Sequence, residues 1–288
     1  MATAHRVGRI REDRHHDRLT RPAVAFSAEA FPTLQSPLLR GWRLASGQVL
    51  WCYIALHFIN HALGLFSLDA AEDALKLAAF VWQSLPGSVL LYGAAATHVM
   101  LALASLHQRH TLRLPPAELL RIGFGLTIPL LLLGHVVGTR VAYEWFGDAP
   151  HYRRIVTNLI RSSNTGWQLA LLAPGWAHGC MGLNVAFRHH AWFQRWRPAL
   201  LAAAVGLPLL AAGGFWVMTR ELADAANAAA APRALLDVIH QQQLGLLRER
   251  VLNGYLALVA AVLVSRTWFA WRRSRVAEGR KPSDSAEV

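Results

Sequence analysis

The sequence predicts an all-α integral membrane protein of six transmembrane helices, spans 1–4 forming a bundle and spans 5 and 6 standing beside it. Two observations predict this. Of 288 residues, 54% are hydrophobic and 16% charged, with mean hydropathy +0.27, too apolar for an ordinary soluble domain. The charges also gather between long apolar runs instead of spreading through them. The formal net charge of +12 would suggest nucleic acid for a soluble chain. Here the arginines flank apolar spans, as topology-setting cations do, and no nucleic-acid partner is expected.

Residues 1–36 read as a basic, mostly disordered cytoplasmic tail without the apolar core of a signal peptide. His15 and His16 lie in it with no acidic or sulfur-bearing residue spaced to complete a metal site. Residues 37–43, PLLRGWR, extend span 1 as an interfacial turn, with Trp42 at headgroup level. Span 1 is Leu44–Leu68, an uncharged run of 25 residues, long enough to cross a bilayer as a helix. The linker 69–86 ends in the breaker pair Pro86-Gly87. Span 2 is Ser88–Leu106; His107 and His110 follow at the membrane edge. Span 3 is Leu119–Val141, where Pro129 is tolerated as a kink.

The loop 143–166 is polar and aromatic, and its RRIVTNLIR stretch predicts a short interfacial helix. Span 4 is Thr165–Phe187 and span 5 Ala199–Met218. The loop 219–249 predicts a short helix at ALLDVIHQQQLGLL; span 6 is Val251–Trp271, and Arg266 near its end can snorkel. The organisation expected is a tail to residue 36, a four-helix bundle over 37–190, two further helices with a polar loop over 191–272, and a cytoplasmic tail or linker over 273–288. Cys52 and Cys180 sit within spans and read as small core residues. No CxxCH occurs, which excludes c-type haem attachment.

Orientation follows from Lys and Arg. Eight precede residue 44, three fall between spans 2 and 3 with Arg121, three between spans 4 and 5, and six from Arg266 onward; the opposite side holds nine. Both termini are therefore expected in the cytoplasm, with the chain in a bacterial inner membrane.

Spans 1–4 each carry histidine in their apolar interior: His57 and His61, His98, His135 and His178. Spans 5 and 6 carry none. Imidazole in a membrane helix is costly and calls for a partner. Inward-facing side chains of a four-helix bundle make cofactor sites, and a b-type haem takes one axial imidazole from each of two walls. Four helices with one such histidine each supply two haems, making spans 1–4 a haem-binding bundle. Glycines near the histidines, among them Gly64, Gly93, Gly134, Gly138, Gly175, Gly179 and Gly182, either make room for a macrocycle or allow close helix packing. Depth places His98 and His178 at one level. His135 lies further toward the outer side, where His57 or His61 meets it; counting residues from Leu44 favours His61.

The motifs resemble the dihaem cytochrome b membrane subunit of succinate:quinone and quinol:fumarate oxidoreductases. ASGQVLWCYIALHF is similar to that family's Ser/Thr-Gly followed ten residues later by a ligand histidine, and WAHGCMGL to its His-Gly-small-x-Gly-Leu signature. The resemblance implies haem-iron ligation by His57 with His135 and by His98 with His178. That family typically has five spans; NHALGL and HVVGTR are closer to the six-span N-terminal anchors of bacterial class III adenylate cyclases, which hold a dihaem core and precede a cytoplasmic cyclase domain. The resemblance implies a redox-sensing anchor or an electron-transfer subunit that exchanges electrons with quinone. The chain stops about 17 residues after span 6 and is expected to be a fragment of a longer protein or a stand-alone relative without catalytic domain. Expected partners are lipid, quinone, a cyclase domain or flavoprotein and iron–sulfur subunits, and a second copy of the chain. Arg140 and Arg188 are candidates for haem propionates; His61, Asn60, Arg140 and Tyr143 for quinone. The competing class is a haem-free transporter or assembly protein whose histidines relay protons or bind metal.

Overall fold

A computed structural model describes residues 36–109, 111, 113–147, 150–228 and 235–278, and every regular element among them is helical. The tail histidines His15 and His16, His110 and the last ten residues lie outside the described residues. Four of the described helices are long and apolar enough to cross a membrane: Leu85–His107, Pro116–Phe146, Ala191–Ala223 and Val238–Arg272. The chain therefore has membrane-spanning helical character. Their outward faces carry exposed Leu90, Met100, Leu120, Val205, Leu209 and Val264, a surface suited to lipid. The two helices at the positions of spans 1 and 4 have 26 and 23 residues and are more polar, holding three of the five histidines considered above (His57, His61 and His178) together with Gln48, Asn60 and Gln168.

Helix α1 (Pro37–Ala62) starts seven residues before Leu44 because Ser36 caps it, accepting from the Leu39 N–H at 3.3 Å, with proline in the first turn. It stops at Ala62, not Leu68, in a 3-10 turn over Leu63–Leu65. The expected linker is instead a helix, α2 (Leu68–Trp82): Ser67 caps it, Asp69 favours its positive end, and Ala and Leu dominate the rest. Pro86-Gly87, expected as a breaker, lies in the first turn of α3 (Leu85–His107), capped by Ser84. Helix α4 (Pro116–Val136) runs through Pro129 into a π-helical turn over Val137–Val141 and then α5 (Ala142–Phe146), which Gly147 ends at φ +70°. The loop 143–166 is thus mostly helix; its RRIVTNLIR stretch falls in α6 (Tyr152–Arg161).

Helix α7 (Thr165–Phe187) matches span 4 at both ends. Spans 5 and 6 are longer than predicted. Helix α8 is Ala191–Ala228, and α9 runs unbroken from Leu235 to Glu278 through Gln-Gln-Gln and Arg-Glu-Arg, polar residues that are good helix formers.

Helix α1 packs against α3, α7 and α8, and α4 packs against α7, while α9 lies against both α3 and α4. One buried cluster joins α2, α6 and α8 through Leu68, Tyr152, Val156, Phe215 and Met218. A second joins α1, α7 and α8 through Phe58, Trp176 and Ala211. The α1–α8 crossing depends on glycine: a Cβ on Gly214 would fall 2.1 Å from the His61 carbonyl oxygen. These contacts leave an opening between the α1–α3 and α4–α7 pairs.

Candidate functional site

The opening is a cavity of about 1320 Å³ lined from α1, α3, α4 and α7, and His57, His61, His98, His135 and His178 all line it. That exceeds the roughly 300–1,000 Å³ of an ordinary small-molecule pocket. Two histidine pairs face each other across it. His98 on α3 and His178 on α7 have ring centroids 6.1 Å apart; His57 on α1 and His135 on α4 are 5.8 Å apart.

The first pair is tethered by backbone. His98 Nδ1 lies 3.2 Å from the Arg43 carbonyl and 3.4 Å from Ser46 Oγ; His178 Nδ1 lies 2.9 Å from the Arg121 carbonyl. A carbonyl only accepts, so each Nδ1 carries the proton and each Nε2 keeps a free lone pair. Glycine lies against each ring. A Cβ on Gly47 would fall 3.0 Å from His98 Cε1, and one on Gly125 2.7 Å from His178 Cε1. Arg43 and Gly47 are four apart on α1, as are Arg121 and Gly125 on α4. His57 follows Gly47 by ten residues and His135 follows Gly125 by ten. The tethering carbonyl, the facing glycine and the histidine of the other pair therefore recur at an offset of 78 residues. Comparing span 1 with span 3 would have revealed Gly125, which the sequence reading did not single out.

The second pair is tethered by side chains. His135 Nδ1 lies 3.1 Å from Gln168 Oε1. His57 faces His135, and its Nε2 is also 3.1 Å from His61 Nε2. His61 turns its other nitrogen to the buried Tyr152 hydroxyl, 3.2 Å away. Burial, then the charge of Glu72, raises the Tyr152 pKa above its ordinary value, so the hydroxyl stays a neutral donor. Glu72 accepts from the Tyr152 backbone N–H at 2.7 Å and pairs with His151 at 2.6 Å, locking α6 onto α2.

Arg140 lies in the π-helical turn after His135 and lines the cavity. Its Nη2 donates to Ser88 Oγ at 3.1 Å and meets Glu144 at 2.6 Å, while its buried Nη1 has no hydrogen-bond partner. The other candidates lie elsewhere. Arg188 donates to His189 at the exposed α7–α8 turn, Tyr143 lies beneath the Arg140 guanidinium, and the buried Asn60 does not line the cavity. Gly138 and Gly182 line the cavity with nothing within 4 Å of an added Cβ.

Among the described residues, no three His, Cys, Asp or Glu side chains converge as a metal-binding group. Each pair therefore offers two imidazoles from opposite sides. Comparison with protein-family models, with curated proteins and with solved structures gave no match.

Proposed function

We propose that the chain is a six-span membrane cytochrome that holds two b-type haems and exchanges electrons with membrane quinone. It serves as the redox-sensing anchor of a cyclase-type signalling protein or as the electron-transfer subunit of an oxidoreductase, in a bacterial inner membrane with both termini cytoplasmic. On this reading α1 and α7 also cross the membrane, with Gln48, His57, His61, Gln168 and His178 turned to the cavity.

The observation that carries the reading is the pair of opposed histidines. A metal bound at ~2 Å by one nitrogen from each side sets the ring centroids roughly 6 Å apart, close to the 5.8 and 6.1 Å here. Each pair would hold a haem iron between its two imidazoles. The cavity is large enough, Gly138 and Gly182 leave its walls low, and the unpartnered Arg140 Nη1 suits a propionate. Haem iron would supply one-electron redox chemistry. The chain supplies the ligands His57, His98, His135 and His178, their orienting acceptors and exclusion of water. Ligation by His57 Nε2 replaces its bond to His61, which Tyr152 still holds.

The purified protein from haem-replete cells should show a Soret band and, with dithionite, sharp α and β bands at about two haems per chain. His98→Ala or His178→Ala should remove one haem and His57→Ala or His135→Ala the other, while His61→Ala retains both. A folded, colourless protein overturns the reading. It would favour the haem-free alternative, for which the hydrogen-bonded run His57–His61–Tyr152 is the supporting observation, as a proton relay.

A further inference from the structure

The recurrence of Arg43, Gly47 and His57 at Arg121, Gly125 and His135 extends through the whole bundle. Every residue of α3 between Leu91 and Leu106 that lines the large cavity has a lining counterpart 80 residues later on α7. So do Leu75, Ala78 and Ala79 of α2, at Ile155, Asn158 and Leu159 of α6. On α1 and α4 the offset is 78, and it joins Leu44 to Ile122, Ile54 to Leu132 and His61 to Thr139, all lining the cavity. A long helix, a shorter capping helix and a second long helix are thus repeated.

Counterparts also meet. His57 faces His135, His98 faces His178, and Glu72 accepts from the backbone N–H of Tyr152, its counterpart 80 residues on. Several separate positions of a repeat come against their own counterparts only about a two-fold axis, as in an isologous dimer interface. That axis runs between the rings of each pair. The two sides of the first site match: a carbonyl tether, a glycine and an imidazole from each half. Ser46 beside His98 and its counterpart Phe124 differ, but neither lines the cavity. The second site is unequal. His61 bonds to His57, whereas its counterpart on the other half is Thr139. Gln168 holds His135, whereas its counterpart Ser88 accepts from Arg140.

We infer that the bundle is two copies of one helix–cap–helix unit and that its first site is two-faced, taking a haem in either of the two orientations related by turning it over about this axis. His61 and Gln168 make the second site one-sided and select one orientation there. The inference rests on the haem reading above and specifies how each site discriminates the two faces of its haem. Haem is itself nearly two-fold symmetric: turned over about the line between its propionates, it exchanges only vinyl with methyl groups. Walls that match leave no free-energy difference to bias the two orientations.

The test is proton NMR of the oxidised full chain in detergent micelles, where haem methyl signals shifted by the iron report orientation. One haem is expected to show two sets of methyl signals within about threefold of each other in intensity, and the other a single set in about tenfold excess or more. His178→Ala should delete the doubled set, assigning it to the first pair. Loading with an iron porphyrin whose own two-fold makes both orientations identical should merge the doubled set into one. His61→Thr and Gln168→Ser, which place at these positions the residues of their counterparts Thr139 and Ser88, should each bring a second orientation into the second site and leave two haems per chain. Single sets at both sites, a doubling that survives the symmetric porphyrin, or a second site unchanged in both variants overturns the inference. A colourless protein refutes the haem reading; two haems with undoubled signals refute this inference alone.

Discussion

The two histidine pairs are built by different means. His98 and His178 hang from carbonyls of neighbouring helices and lie against glycines, so their positions are set mainly by helix backbone, with Ser46 Oγ also beside His98. His57 and His135 depend on side chains: Gln168, His61 and, behind it, Tyr152. Backbone tethers have no rotamers to lose and few ways to be tuned. Side-chain tethers add titratable and replaceable groups, and Arg140 lines the same cavity. The two pairs therefore differ in how readily their surroundings are altered by substitution.

The largest effect should come from the glycine of the rigid end. Gly125→Val drives a side chain into the His178 ring and should abolish that haem, whereas Gly123→Val, two residues away with nothing within 4 Å, should retain it. Equal spectra for the two variants would break the claim that backbone packing positions the first pair. Next, Gly214→Val meets the His61 carbonyl and should cost about 3 kcal/mol, read as a lower denaturation midpoint. Its spectral damage should fall on the His57–His135 haem first.

Gln168→Leu removes the acceptor for His135 Nδ1 without removing the ligand. Haem content should persist, with haem affinity at that end weakened roughly tenfold and its potential shifted, the scale of a lost orienting partner; redox titration with optical detection reads both. The smallest effect concerns Tyr152. Its raised pKa means that the unfolded chain loses the phenol proton first, so this contribution to stability is present below about pH 10 and is lost as pH rises toward the folded value. Tyr152→Phe should flatten the fall in melting temperature above pH 10 and leave neutral-pH spectra of the first pair untouched.

Much of this was legible along the chain. An apolar run, a charged boundary and a histidine at mid-span are local properties, so α3, α4 and α7 lie close to where hydropathy puts them. The helix α6 falls on the expected interfacial stretch, whereas α2 and the continuity of α9 through its polar half were underestimated for the opposite reason. Charge excludes a span but not a helix whose other face is buried, as Leu68 and Ala71 on α2 are against α8.

By itself the sequence determined that the chain is helical and membrane-spanning, and that five histidines lie inside its apolar runs, because burial energy is written into composition and period. Only the tertiary structure decided which imidazole faces which. Counting depth from Leu44 pointed to His61, but α1 begins at Pro37, and it is the His57 ring that faces His135 while His61 turns to Tyr152. A single helical turn separates the two, and the glycine crossing that brings α8 against the His61 carbonyl is a contact between residues some 150 positions apart.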